Sequence, residues 1–232
     1  MNNILTIFQK QLKDTVKNKA VLIQFLMFPA MTILMENSIP LDAMPMPEHF
    51  FAKIFSAMFV GMAPLISTSA IIAEEKEQNT LRALLMSNVT PPQYLVGIGS
   101  YVWLLCMLGA IVFGVCNDYS AAEFLQFLLI MAAGIFLSVL LGAIIGIISK
   151  NQMSATSLTV PVMIVFSFLP MLAMFNETIE KLATFVYSQQ VFLLINRIGT
   201  ADPEPKNILI LFLNATLAII IFFSIYKKKG ME

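Results

Sequence analysis

The most constraining feature of this sequence is a series of long apolar segments, because a spanning α-helix needs about 20 mostly apolar residues. Six segments fit or nearly fit that length: 20–39, 50–73, 94–115, 121–149, 155–175 and 208–226. The composition agrees, since 58% of the 232 residues are hydrophobic and only 12% are charged, whereas soluble domains are about 25% charged. We therefore predict an all-α membrane protein with six transmembrane helices.

Several function classes lack their usual sequence features. The formal net charge is zero, which excludes the basic footprint of a nucleic-acid binder. The single histidine, His49, has no companions at ligand spacing, so no metal site is expected. No HExxH, GxSxG or GxxxxGK[ST] pattern occurs. We therefore expect neither an enzyme nor a chain with its own ATP-binding loop, and no resident cofactor.

The first nineteen residues have the pattern of an amphipathic helix. Ile4, Phe8, Leu12 and Val16 recur every four residues with Ile7 beside them, while the lysines fall mainly on other faces. Such a helix lies in the headgroup layer on the side of anionic lipids. The alternative is a plain extension of the first span. We divide the chain into an interfacial helix at 1–19 and a six-span membrane domain at 20–232.

The distribution of lysine and arginine predicts the orientation of the spans. Six spans place both termini on one side. Ten basic residues lie on that side: Lys10, Lys13, Lys17, Lys19, Lys76, Arg82, Lys150, Lys227, Lys228 and Lys229. Four lie on the other: Lys53, Lys181, Arg197 and Lys206. We predict that both termini are cytoplasmic.

The loop at 74–93 is more than a connector. It begins with Glu74-Glu75-Lys76-Glu77, and the leucines that follow at spacings of three and four predict a short helix with an apolar stripe. Pro91 and Pro92 are expected to end this helix. The stripe can be buried in lipid or in a partner protein. Glutamates are repelled by anionic headgroups, which favours the protein partner.

The second unusual loop, 176–207, is long for a bare connection. Its middle is too apolar for a solvated loop. We predict one or two short helices that dip into the outer leaflet or cap the bundle. Their role is either an outer gate or passive packing.

The fourth predicted span contains a possible helix-packing motif. Gly142 and Gly146 form a GxxxG step, which lets two helices approach closely. Such steps also occur by chance, so the motif alone does not specify a contact.

Together, the amphipathic N-terminal helix, the six spans and the segment Glu74–Leu85 with Pro91 and Pro92 behind it resemble a type-2 ABC transporter permease. The family pattern has acidic residues, then a Gly-Thr or similar pair, then paired leucines and a later proline. This chain has Asn79 where glycine is usual. The resemblance covers essentially the whole chain.

The resemblance implies an ABC exporter in which two permeases pair, as a homodimer or with a related partner, and each docks a separate ATPase subunit that binds ATP. Residues 74–86 would be the coupling helix, 1–19 the elbow helix and 176–207 the external re-entrant helices. The implied ATPase-coupling interface comprises Glu74, Glu75, Glu77, Thr80, Leu81, Leu84 and Leu85. The apolar face of the elbow helix comprises Phe8, Leu12 and Val16.

The expected setting is the bacterial plasma membrane, with lipid as the surrounding partner. The cargo is expected to be hydrophobic or amphipathic: an antibiotic, an antimicrobial peptide or a lipid-like molecule, in keeping with a self-protection or antibiotic-resistance role. Two alternatives remain open. A gradient-driven secondary transporter or channel would transport without ATP, and a membrane scaffold would transport nothing.

Overall fold

A computed structural model describes residues 3–17, 19–39, 47–200 and 204–229 of the chain. Within these ranges the chain forms α-helices and no β-strand. The helices are α1 (Asn3–Lys17), α2 (Lys19–Ser38), α3 (Phe50–Glu77), α4 (Thr80–Met86), α5 (Pro91–Cys116), α6 (Ala121–Ile148), α7 (Gln152–Ala173), α8 (Glu177–Ala183), α9 (Tyr187–Asn196) and α10 (Pro205–Lys229). The described part is therefore all-α, as the sequence predicts.

Five of the described helices are long and apolar enough to cross a membrane, namely α3, α5, α6, α7 and α10. Each lies within a few residues of a predicted span. The first predicted span, 20–39, coincides with α2, a helix of 20 residues with Pro29 inside it. Since α2 is not among those five, the total of six spans stays a prediction.

Helix α3 is at the centre of the bundle and packs against α2, α5, α6, α7 and α9. Buried positions run along most of its length and include the small residues Ala57, Gly61 and Ala63. Small residues allow neighbouring backbones to approach, which is how helices pack in lipid. Helices α7 and α10 instead expose large apolar side chains such as Phe168 and Phe212. Faces of this kind suit contact with acyl chains or with another membrane subunit.

The two glycines of the GxxxG step lie directly against α3. A Cβ atom at Gly142 would be 2.6 Å from the carbonyl oxygen of Leu65. A Cβ atom at Gly146 would be 2.7 Å from Cβ of Ile72. In this structure the step therefore packs α6 on α3 within one chain.

Helix α9 folds back into the bundle and packs against α3, α6, α7 and α10, whereas α8 packs against α7. The hydroxyl of Tyr187, the first residue of α9, is buried and lies 2.7 Å from Oγ of Ser138 on α6. Ser138 also donates a hydrogen bond to the carbonyl oxygen of Val60, which is about 15 Å along α3 from its first residue at 1.5 Å per residue. The first residue of α9 thus lies deep among the long helices, whereas Phe185 in the turn before it is 73% exposed.

The turn between α4 and α5 corrects one prediction. Pro91 and Pro92 do not end the short helix but begin α5, where Thr90 and Gln93 form a capping box. Proline is favoured at the first helical position because its missing N–H would have no partner there. The short helix ends earlier, at Met86.

Candidate functional site

The candidate site is the end of the bundle where α1, α4 and the last turn of α3 meet. We call it the α1–α3–α4 junction, comprising residues 3–17, 74–77 and 80–86. The segment Glu74-Glu75-Lys76-Glu77 closes α3, and its side chains point to different neighbours because successive helical residues are about 100° apart.

Glu75 connects α3 to α1. Its side chain is buried, and its Oε1 atom accepts hydrogen bonds from Nζ of Lys10 and, at 2.7 Å, from Nε2 of Gln11. Gln11 is itself buried, while the Lys10 side chain is 37% exposed. The carboxylate therefore holds one charged and one neutral donor of α1 against the end of α3.

Lys76 and Glu77 connect α3 to the turn between α6 and α7. Nζ of Lys76 donates to the carbonyl oxygens of Ile147 and Ser149, at 2.8 and 2.9 Å. These oxygens belong to the C-terminal end of α6, where a cation is favoured by the helix dipole. Oε2 of Glu77 accepts from the backbone N–H of Gln152 at 2.9 Å, at the N-terminal end of α7. Opposite charges thus cap two successive helix ends.

Glu74 differs from its neighbours. It is exposed, and Oε1 accepts a hydrogen bond from Nε2 of Gln78 at 3.1 Å, four residues along the chain. This local pair is at the surface, where such contacts contribute little to stability.

Helix α4 starts with a sharp change of backbone direction. Asn79, its N-cap residue, has φ 58° and ψ 11°, in the left-handed region. Glycine and asparagine enter this region most readily, which explains why Asn79 can occupy a position where the resembling family has glycine. Thr80 then donates from Oγ1 to the carbonyl oxygen of Glu75 at 3.1 Å, which ties α4 to α3.

The leucines of α4 do not form an outward-facing ridge. Leu81 is buried in the protein's own core, and Leu84 and Leu85 are half-buried against it. The outward face of α4 instead carries Arg82, Ala83 and Met86. Of these, Met86 is 75% exposed.

Helix α1 packs on α5 through Ile7 and Phe8, two residues of its apolar face. Ile7 is buried and lies so close to Gly97 that a Cβ atom there would be 2.9 Å from its side chain. Phe8 is half-buried and makes an edge-to-face contact with Tyr101, at a centroid distance of 5.6 Å. Leu12 is 45% exposed. The side chain of Val16, the third residue predicted for this face, lies outside the described part.

The start of α1 is also connected to the turn that follows α4. Nδ2 of Asn3 donates to the carbonyl oxygen of Asn88 at 3.2 Å and to Oε1 of Gln93 at 3.1 Å. A polar cavity of about 310 Å³ remains between α1, α3 and α4, and its walls include Asp14, Glu74 and Glu75.

Sequence reasoning missed the partners of the acidic segment: Lys10, Gln11 and Gln152. They lie between 64 and 75 residues from Glu75 or Glu77 along the chain. No local pattern could have identified them. The hydrogen bonds hold α1, α4 and the ends of α6 and α7 to one end of α3.

The described residues contain no group of three or more histidine, cysteine, aspartate or glutamate side chains placed to hold a metal ion. The geometry of the junction is that of a mechanical connection between helices. A family model described as ABC-2 family transporter protein matches residues 1–225. No curated protein sequence matches the chain.

Proposed function

The chain belongs to the ABC-2 family of transporter proteins, and we propose that it is the permease subunit of an exporter driven by a separate ATPase chain that binds ATP. The observation that carries the proposal is the α1–α3–α4 junction. Its outward face on α4 is available to a partner, while its inner side is hydrogen-bonded to α1 and to the α6–α7 turn.

The proposed ATPase contact uses different side chains of α4 from those predicted from the sequence. Arg82, Ala83 and Met86 would form the contact, because they lie on the outward face of α4. Leu81, Leu84 and Leu85 would instead attach α4 to the permease core. Glu75 and Glu77 would pass the movement of α4 to α1 and α7, and Thr80 would keep α4 fixed to α3.

We place the junction in the cytoplasm of a bacterial cell, with both termini on the same side, because most lysines and arginines then lie inside. In that orientation α8 and α9 approach the bundle from outside. The exposed apolar side chains Leu182 on α8 and Phe185 after it would face the outer end of the pathway, which is how an outer gate would act.

A second permease, identical or related, would pack against apolar faces that this chain leaves exposed. Helix α7 offers such a face, including Ile164, Val165 and Phe168. A pathway between two apolar faces would take a hydrophobic or amphipathic cargo, such as an antibiotic, an antimicrobial peptide or a lipid-like molecule. Adaptable methionine and phenylalanine side chains suit cargo of that kind.

The direct test is purification of the tagged chain with its ATPase, followed by ATP-dependent export in vesicles. Met86→Asp should abolish complex formation, because it places a charge in the centre of the proposed contact. Met153→Asp is the matched control, since Met153 is 79% exposed at the same end of the bundle but lies on α7. Both variants should insert into the membrane and elute as single species on size exclusion.

If Met86→Asp abolishes the complex with the ATPase and Met153→Asp retains it, coupling through α4 is supported. An unchanged complex in both variants, or equal loss in both, would contradict it. Export that persists without the ATPase, driven by an ion gradient, would favour a secondary transporter instead.

A further inference from the structure

An open apolar groove of about 480 Å³ lies between α3, α5, α6 and α10, on the same end of the bundle as the junction but outside it. Its volume is in the range of small-molecule sites, about 300–1,000 Å³. All four helices are among those long and apolar enough to span a membrane. The groove therefore lies on helices that are suited to a membrane.

The groove offers little polar surface to a ligand, and the hydroxyl of Tyr226 lies towards the end of α10. The hydroxyls of Thr68 and Ser100, deeper in the wall, donate to carbonyl oxygens of their own helices at 2.8 and 3.1 Å. Trp103 lines the groove with its ring, while its Nε1 atom donates to the carbonyl oxygen of Ala132 at 3.0 Å. Thr68, Ser100 and Trp103 are thus already paired, and an occupant must be apolar along this part of the groove.

The length of the groove matches one leaflet. It runs along α5 from Pro92 to Trp103, which is about 16 Å at 1.5 Å per residue. Half of a hydrocarbon core about 30 Å thick is about 15 Å. The groove is open towards lipid, since its wall residues Val96 and Phe223 are each 54% exposed. An acyl chain of the adjacent leaflet fits these dimensions.

The charge near the α10 end of the groove favours a lipid with an anionic headgroup. Tyr226 lines the groove near the end of α10. Lys227 and Lys228 follow it as exposed residues on other faces of the helix, and long lysine side chains near a helix end extend to the headgroup layer. No acidic residue lines the groove. We propose that the groove binds an acyl chain of an anionic phospholipid, with the lipid phosphate held by Lys227 and Lys228. This site requires a membrane-spanning placement only and does not depend on the exporter proposal.

Trp103 makes the proposal directly measurable, because it is the single tryptophan of the chain and lines the groove. The protein is reconstituted in phosphatidylcholine bilayers that contain increasing fractions of brominated phosphatidylglycerol or brominated phosphatidylcholine. Bromine quenches tryptophan fluorescence only near contact. Each lysine near an anionic phosphate favours binding by about 5-fold, so brominated phosphatidylglycerol should quench at a lower fraction by about 5-fold or more.

Two variants separate the groove from the headgroup contact. Lys227→Gln combined with Lys228→Gln should make the two brominated lipids equivalent, whereas Lys53→Gln combined with Lys181→Gln should leave the preference unchanged. Gly99→Leu places a side chain inside the groove and should reduce quenching by both lipids. Ala122→Leu, at an exposed position elsewhere, is its control.

Equal quenching by the two lipids in the unmodified protein would overturn the proposal. So would a preference that survives the loss of both lysines, or quenching that Gly99→Leu does not reduce. Because the assay contains no ATPase, ATP or cargo, its result is independent of whether the chain is an exporter subunit.

Discussion

Replacing Glu75 by alanine tests whether the buried carboxylate at the end of α3 holds α1 in place. The substitution removes the acceptor of two hydrogen bonds, from Lys10 and Gln11. These two donors differ in their surroundings, because Gln11 is 5% exposed and the Lys10 side chain is 37% exposed. The loss of folding free energy should therefore come mainly from Gln11, whose buried side-chain amide loses its acceptor.

The magnitude follows from that difference. A buried amide left without a partner costs about 1–3 kcal/mol. Lys10 can turn to solvent, so the loss of its ion pair with Glu75 destabilises the protein by only about 0–1 kcal/mol. Removing the buried part of the Glu75 side chain adds about 1 kcal/mol. The sum is a destabilisation of about 3 kcal/mol, which for a chain of this size lowers Tm by about 6–12 °C.

Thermal unfolding in detergent can be followed with a dye that fluoresces on reaction with a thiol. Cys106 is buried and free and reports unfolding, while the partly exposed Cys116 is replaced by serine in every variant. Glu74→Ala is the matched control, because Glu74 is the neighbouring carboxylate but is exposed and bonded locally. Its Tm should change by less than about 2 °C.

A comparison with Lys10→Ala decides whether the reasoning is right. That variant should cost about 1 kcal/mol or less, since Gln11 still donates to Glu75. If Lys10→Ala lowers Tm as much as Glu75→Ala does, the charged pair and not the buried amide controls the attachment. If Glu75→Ala behaves like Glu74→Ala, α1 is held by other contacts and the assignment is wrong.

Two further substitutions test backbone geometry with the same thermal assay. Asn79→Gly should leave Tm nearly unchanged, whereas Asn79→Val should destabilise the chain by about 1–2 kcal/mol, because a β-branched residue is strained at φ 58°. Equal Tm values for these two variants would contradict the left-handed conformation. Gly142→Ala should cost about 1–3 kcal/mol, since its Cβ would be 2.6 Å from a backbone oxygen of α3. Gly99→Ala, whose Cβ would meet an atom only at 3.4 Å, should be nearly neutral, and equal losses at both glycines would show that α6 does not pack as described.

The positions of the long helices could be read from the sequence, because the length of an apolar run and the residues that end it are local properties. Helix α6 begins at Ala121, as predicted. The preceding residue, Ser120, caps the helix because its side chain accepts a hydrogen bond from the backbone N–H of Glu123. Resemblance in the acidic segment also led to the right family. Glycine spacing in α6 indicated a close contact but not the helix that makes it.

The roles of individual residues in the junction depended on tertiary structure. Glu74 and Glu75 are adjacent and chemically identical, yet one is exposed and the other is buried against Gln11, 64 residues away. A helical pattern alone assigns Leu81 to a partner-binding stripe, but α4 packs against α3 and Leu81 is part of the protein's own core. Sequence periodicity defines which residues share a face of a helix. Only the packing of distant segments decides whether that face meets the same chain, the lipid or another protein.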